Sequence, residues 1–435
     1  MSQSAKLKKT LTPFALWALG VGYVISGMYF GWNLGLEKGG TLGMALATIV
    51  IMFMYVAFTF SYTELACAIP KAGGVFDYAG SVLGKDIAFI SGIAQTVEFV
   101  FAPPAIAFAI GAYFNAFFPD VPILGTAMVA YLVFTALNII GVKAAATFEM
   151  VITVLAVGEL LIFVGVAAPS FEAENLVRNA FPNGWAGAFA AIPFAIWFFL
   201  GIEGIANVAE ETRNPQRDIQ KGFGWAIFTL AMLCVLVFLS AVGVGGWEAI
   251  VYRNGVDGET SDSPLPLALS MVTGENHLLY HLLITVGLFG LIASFHGLIL
   301  AAGRSTYEMG RARNFPPLFG RISEKFHTPA YALLGNMVVG MLALLSGKTG
   351  EIITLSVFGA LTLYVIAMVA LIRLRKEQPD MERPFRVPVY PFFPISVLVI
   401  GIVSLVSMFY YNLEIGLIYL LILFVSYCIF KLFKK

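Results

Sequence analysis

The sequence predicts an all-α integral membrane protein of twelve transmembrane helices. Three observations carry that expectation. Of 435 residues, 59% are hydrophobic and 12% charged, with a mean hydropathy of +0.86, whereas a soluble domain is about 45–50% apolar and about 25% charged. Apolar runs of about 20 residues, the length that crosses a bilayer, recur along the whole chain, where a buried soluble core would account for one or two. Two of these runs are interrupted mid-span by glycine clusters.

The runs place helices at 12–36, 41–66, 85–117, 121–142, 146–168, 186–209, 221–246, 278–304, 329–346, 351–374, 391–410 and 413–431. Ahead of the first, Met1 to Thr10 is polar and basic and leads into the helix without a small-residue cleavage site, so no signal peptide is expected. The first span reads Gly20-Val-Gly-Tyr-Val-Ile-Ser-Gly-Met-Tyr-Phe-Gly31 and the sixth Trp197-Phe-Phe-Leu-Gly-Ile-Glu-Gly204. Glycines there free backbone groups, which a membrane tolerates only where they line a cavity or are buried in protein; close helix packing through glycine is the other explanation. Breaks five helices apart point to an inverted five-plus-five repeat with its site at the midplane. The chain then reads as one transmembrane domain, 1–435, with repeats at 12–168 and 186–374 and two further helices at 391–431. The longest polar stretch, Trp247 to His277, reads as an external loop carrying Glu248, Asp257, Glu259, Asp262 and Glu275 against one Arg.

Orientation follows from the basic residues. With the N-terminus inside, 22 of the 26 Lys and Arg fall on inner segments, and four (Lys38, Arg178, Arg253 and Lys348) on outer ones, so both termini are expected in the cytoplasm. Lys+Arg and Asp+Glu balance at 26 each, and nothing suggests nucleic acid as a partner; the lipid bilayer is the partner that composition implies. Cys67, Cys234 and Cys428 are scattered in or beside apolar runs and read as packing residues without a disulfide.

Four acids stand within apolar spans: Glu98, Glu149, Glu159 and Glu203. A charged side chain at the bilayer centre costs roughly 2.5–3.5 kcal/mol on insertion scales, so each is a functional candidate by default. Glu98 shares a helix face with Phe101, Ala102 and Ala105, whose small members leave room for a ligand, though a structural acid bonded to a broken neighbouring helix is the alternative. Glu203 follows the sixth-helix break, Glu159 lies mid-span, and Glu149 sits near an inner end and reads as interfacial. Aromatic faces attract organic cations; Tyr29, Trp197 and Phe199 flank the breaks and are the expected wall, with Ile25, Ser26, Gly27, Met28 and Gly201 supplying backbone. His296, mid-span in the eighth helix beside Ser294, joins Glu98, Glu159 and Glu203 as a proton-coupling candidate. His277 and His281 have i, i+4 spacing but no third metal ligand. Ser346-Gly-Lys-Thr349 lacks the glycine a phosphate loop needs at Leu342. No catalytic residue, metal site or cofactor is expected, and no enzyme.

Motifs follow in order along the chain: Pro70-Lys-Ala-Gly-Gly-Val-Phe-Asp-Tyr78, Asn138-Ile-Ile-Gly-Val-Lys143, Glu210-Glu-Thr-Arg-Asn-Pro-Gln-Arg-Asp-Ile219, Gly303-Arg-Ser-Thr-Tyr-Glu-Met-Gly-Arg311, Thr328-Pro329 and Arg383-Pro-Phe-Arg-Val-Pro388. This series resembles the amino acid–polyamine–organocation permeases over essentially the whole chain. Three segments are similar to the bacterial ethanolamine permeases: Val24 to Leu36, Glu98 to Ala107, and Gly201 to Glu211. The resemblance implies a LeuT-type inverted-repeat transporter in a bacterial inner membrane, importing ethanolamine or a close amino alcohol, with H+ or Na+ as coupling ion. It also implies a proton-sensing part for Glu203. Two departures stand out. Met28 replaces a small or acidic residue, and Ile25 replaces the first glycine of the Gly-x-Gly by which amino acid permeases free amides for a carboxylate. A weakened carboxylate site with added acids fits a cation better than a zwitterion. An amino acid permease or exchanger of the same fold remains open, and so, from another class, does a receptor or channel subunit without turnover.

Overall fold

The computed structural model describes residues 9–140, 145–253 and 258–433. Expectations that rest on Lys6, Lys8, Gly141, Val142, Lys143, Asp257, Lys434 and Lys435 lie outside the described residues. Within them the chain is helical; the extended pairing consists of two isolated backbone bridges, Leu11 with Thr212 and Tyr252 with Thr260.

Helix α1 (Pro13–Val24) begins where the Thr12 hydroxyl accepts from the Ala15 amide and Pro13 takes the first position, where no amide donor is needed. Ile25 separates it from the single turn α2 (Ser26–Tyr29). Phe30 is then extended and Gly31 takes φ +87°, a conformation that ends the helix and that glycine adopts without strain. Helix α3 (Asn33–Ala68) kinks at Gly40, φ +63°, so its first turns continue the first predicted span and the remainder is the second. There follow α4 (Val75–Val82), α5 (Lys85–Asn115), α6 (Ile123–Ile140), α7 (Ala145–Ala167) and the short α8 (Ala173–Val177). The sixth predicted span is α9 (Gly184–Ala190) and α10 (Ile192–Trp197), then Gly201 in the left-handed region at φ +98°, then a 3-10 segment, Ile202–Glu211. The chain continues through α11 (Pro215–Gly245), α12 (Trp247–Val251), α13 (Pro264–Thr273), α14 (Leu278–Arg311), α15 (Ala330–Leu344), α16 (Thr349–Glu377), α17 (Phe392–Tyr411) and α18 (Leu413–Phe433).

Ten of these segments are long and apolar enough to cross a membrane, and α1, α13 and α15 are shorter apolar helices. The stretch from Trp247 to His277, read as a polar loop, instead folds into α12 and α13. Proline opens α13, and Leu265, Ala268 and Leu269 are buried where it packs on α11 and α14. Helix α5 is the central post, packed along α14 and α16; 89% of its apolar window is buried against 17% for α18. On the outer helices large apolar side chains such as Phe228, Val406, Leu421 and Leu432 are exposed. Such a surface is a liability in water and is what lipid solvates.

Candidate substrate site

The central helix brings two of the four intramembrane acids together. Glu98 on α5 and Glu203 in the 3-10 segment interact electrostatically, and both are fully buried. Neither carboxyl oxygen of Glu98 has a hydrogen-bond partner among the described residues. Glu203 is held on one side only: the Tyr364 hydroxyl donates to its Oε2 at 2.9 Å, while Oε1 is unpartnered among the described residues. Two neighbouring carboxyls cannot both carry charge in an apolar medium unless a cation or a shared proton lies with them.

Three elements fix this pair. Helix α16 lies against α5 at Gly359, where a Cβ would meet the Ala94 carbonyl and the Glu98 amide, and Ser356 donates to the Glu98 carbonyl at 2.8 Å. One helix thus grips the backbone of Glu98 and sends Tyr364 to Glu203. On α5, Pro103 and Pro104 bring no amide to the carbonyls of Phe99 and Val100, the two residues that follow Glu98. Opposite, Gly201 at φ +98° turns the chain so that the 3-10 segment starts with Glu203 facing inward. Aromatic rings close the surroundings. Tyr55 hydrogen-bonds to Tyr364 at 3.1 Å between hydroxyls and packs on Phe199 at 5.1 Å, and Phe58 lies 4.2 Å from the Tyr364 ring.

The remaining expected residues divide among other places. Ser26 is tied to Ser294 of α14 at 2.8 Å, and Ser294 donates to the Tyr23 carbonyl at 2.6 Å; both bonds span the turn at Ile25. Gly27 touches the backbone of Trp197, whose ring meets Phe30 edge-on at 5.4 Å and whose Nε1 is unpartnered among the described residues. The Met28 carbonyl accepts from Trp32 Nε1 at 3.1 Å. Tyr29 faces away from Glu98 and Glu203: its hydroxyl donates to Glu159 on α7 at 2.6 Å, and its carbonyl accepts from Tyr113 at 2.9 Å. Glu159 thus belongs to a second centre, beside a small cavity that α13 and α14 help to line. His296 belongs to a third. It lies 3.6 Å from Glu149, which is 2% exposed; α1, α7 and α14 converge there and cover it. Tyr55, Ser356, Gly359 and Tyr364 were not anticipated. The one signal in the sequence was a tyrosine within an apolar run, since a buried hydroxyl needs a partner.

Ion pairs and hydrogen bonds close both ends of the bundle. At one end Glu64, fully buried, takes Arg375 at 2.5 Å and the Val387 amide at 2.7 Å, and Arg304 pairs with Glu211 at 2.7 Å. Leu11 and Thr10 pin the start of the chain to Glu211 and Arg213. At the other end Asn33 donates to the Ser261 carbonyl at 2.7 Å and Thr349 to Asp262 at 2.8 Å. Burial pushes the Asp262 carboxyl up to about 6, the Thr349 hydroxyl and Arg253 acting in the opposite sense.

The amino acid permease family model matches residues 11–427. The chain is 26% identical to the branched-chain amino acid permease BcaP of Bacillus subtilis, the match covering 99% of this chain and 94% of that protein. It is 27% identical to the methylthioribose transporter of the same organism, covering 91% and 87%. It is 26% identical to the low-affinity putrescine importer PlaP of Escherichia coli, covering 84% and 81%. With the family matched over nearly its full length and a bundle of membrane-length helices around buried acids, the chain belongs to the amino acid permease family, as a multi-pass membrane transporter.

Proposed function

We propose that this permease imports a small organic amine of the ethanolamine type, whose ammonium occupies the space between Glu98 and Glu203. The observation that carries the reading is the Glu98 carboxyl: fully buried, facing a second carboxyl, and without a hydrogen-bond donor among the described residues. A primary ammonium supplies three donors and one positive charge, which is what that arrangement lacks. Tyr55, Phe199 and Tyr364 add aromatic faces, each attracting a cation by roughly 0.5–2 kcal/mol.

Transport would proceed by alternating access in a twelve-span LeuT-type arrangement, with repeats at 12–168 and 186–374 and two added helices. The backbone breaks at Phe30–Trp32 and at Gly201 support it, since they fall in the first and sixth spans. The 22-to-4 basic asymmetry supports a cytoplasmic N-terminus and, in a bacterium, residence in the inner membrane. A proton shared by the two carboxyls and displaced by the substrate would couple the two fluxes. The naming of one relative as a putrescine importer favours a cationic substrate, and that of another as a branched-chain amino acid permease favours the alternative, an amino acid.

The two separate in proteoliposomes. Labelled ethanolamine should accumulate and be displaced by unlabelled ethanolamine at least tenfold more effectively than by serine, which adds a carboxylate to the same amino alcohol. Equal displacement by serine would favour the amino acid reading, and no accumulation with either would overturn both.

A further inference from the structure

The third acidic centre lies apart from the proposed substrate site and has no part in it. Glu149 of α7 and His296 of α14 meet against the backbone of α1, their carboxyl and ring 3.6 Å apart. That distance allows charge attraction but exceeds a hydrogen bond, and both Glu149 Oε1 and His296 Nδ1 are unpartnered among the described residues. The pair is buried, Glu149 at 2% and His296 at 7% exposure. Two glycines make room for it: a Cβ on Gly22 of α1 would meet Glu149 Oε1, and one on Gly297 of α14 would stand 3.3 Å from the same oxygen. One turn along α7, Thr153 donates to the Ala18 carbonyl of α1 at 3.2 Å. Helix α1 is therefore seated directly on the carboxyl, immediately before its turn at Ile25.

We propose that Glu149 and His296 form a proton-holding latch that sets whether α1 rests against α7 and α14. With one proton the pair is neutral overall, either as carboxyl and imidazole or as carboxylate and imidazolium, and it stays buried under Gly22. With none, a carboxylate is left in an apolar junction without a countercharge, and burying it so is strongly unfavourable. The remedy is for α1 to move off and admit water. Few other charged groups bear on the pair. From α1 the Tyr23 hydroxyl interacts with Glu149, and the Arg304–Glu211 ion pair of α14 and the 3-10 segment reaches Tyr23. From α6, among the described residues, the groups that face His296 are neutral: Asn138, donating to its carbonyl at 3.4 Å, and the Phe134 ring. Because α1 carries the first break, loss of this proton loosens the element that borders the substrate site on the cytoplasmic side. The orientation rests on the transport reading; the latch itself does not.

The test is hydrogen–deuterium exchange of the α1 amides in the purified protein without substrate, corrected for the intrinsic pH dependence of exchange, from about pH 5 to about pH 8, an interval chosen because a free imidazole changes charge within it. In the wild type, protection of residues 13–24 should fall at least tenfold as pH rises. In Glu149→Gln, which leaves no carboxylate to be bared, protection should vary by less than threefold, and in His296→Gln, where the carboxyl has lost the imidazole that shares its proton, the midpoint of the fall should shift away from that of the wild type. Should neither variant be isolable, Glu149→Asp, which withdraws the carboxyl from His296, should shift the midpoint of the wild-type transition. A wild-type protein whose α1 exchange ignores pH, or variants that keep the wild-type profile, would overturn the latch. Counterflow of labelled ethanolamine on the same preparations reports on the transport reading separately, because its absence leaves the exchange result standing.

Discussion

Among the described residues Tyr364 is the hydroxyl donor that Glu203 receives from another helix, and it sits where no motif would place it. Its removal should be felt as the loss of a hydrogen bond to a charged group, about 1.5–3 kcal/mol. Tyr364→Phe keeps the ring and its packing on Phe58 and Tyr55, so apparent ethanolamine affinity in an uptake assay should fall by about 10- to 100-fold while the protein remains folded. Unchanged affinity would remove Tyr364 from the site. At this scale the sequence was informative about charge and poor about partners. Glu98 and Glu203 stood out because acids in apolar runs are costly. Their convergence was invisible, because it depends on how α5 and the 3-10 segment turn toward each other. Tyr29 shows the converse: it flanks a break, as expected of a site residue, yet its hydroxyl goes to Glu159. Periodicity alone gave no means of telling which way it points.

The helices owe their arrangement to a few close approaches, and these are more stringent than the apolar packing around them. Gly359 is the clearest. A methyl there would collide with backbone atoms of α5, the Ala94 carbonyl and the Glu98 amide, and backbone cannot yield as a side-chain tip can. Gly359→Ala should therefore push α16 off α5, lower the thermal midpoint in detergent, and weaken substrate binding by moving Tyr364 from Glu203. A variant with wild-type midpoint and affinity would contradict this account of the contact. Element positions were largely legible, since apolar runs of membrane length leave little choice. The break at Phe30–Gly31 falls within the interrupted stretch Gly20–Gly31; what was not legible was the helical content of 247–273. Gly20 and Gly22 serve close packing instead: Gly20 lies against Ile205 and Gly22 against Glu149. In α13 the run from Pro264 to Thr273 is too short to register as a span but apolar enough to bury one face.

At the scale of the whole molecule the bundle is closed by polar contacts at each end, and one of them responds to pH. Burial raises the Asp262 carboxyl to about 6 from an ordinary value near 3.9. The closed arrangement thus retains a proton that a solvated Asp262 would lose, and its stability falls as pH rises through the window from about 4 to about 6. A single cysteine at the exposed Glu259 position reads this loop. In intact cells Glu259→Cys should react with an impermeant thiol reagent if the loop is external, as the proposed orientation has it. Its rate relative to the same cysteine in an Asp262→Asn background should rise across that window. Labelling only after lysis would invert the topology, and a pH-independent ratio would remove Asp262 from the closure.

The central claim is that a buried carboxyl pair accepts an ammonium, and calorimetric titration of ethanolamine into purified wild-type and Glu98→Gln protein tests it most directly. Glutamine keeps the shape of Glu98 and removes its charge. Losing one partner of a buried charged pair costs about 3–5 kcal/mol, so the account predicts measurable binding to the wild type and none to the variant at ordinary concentrations, with thermal stability retained. Equal affinity in the two proteins would contradict it.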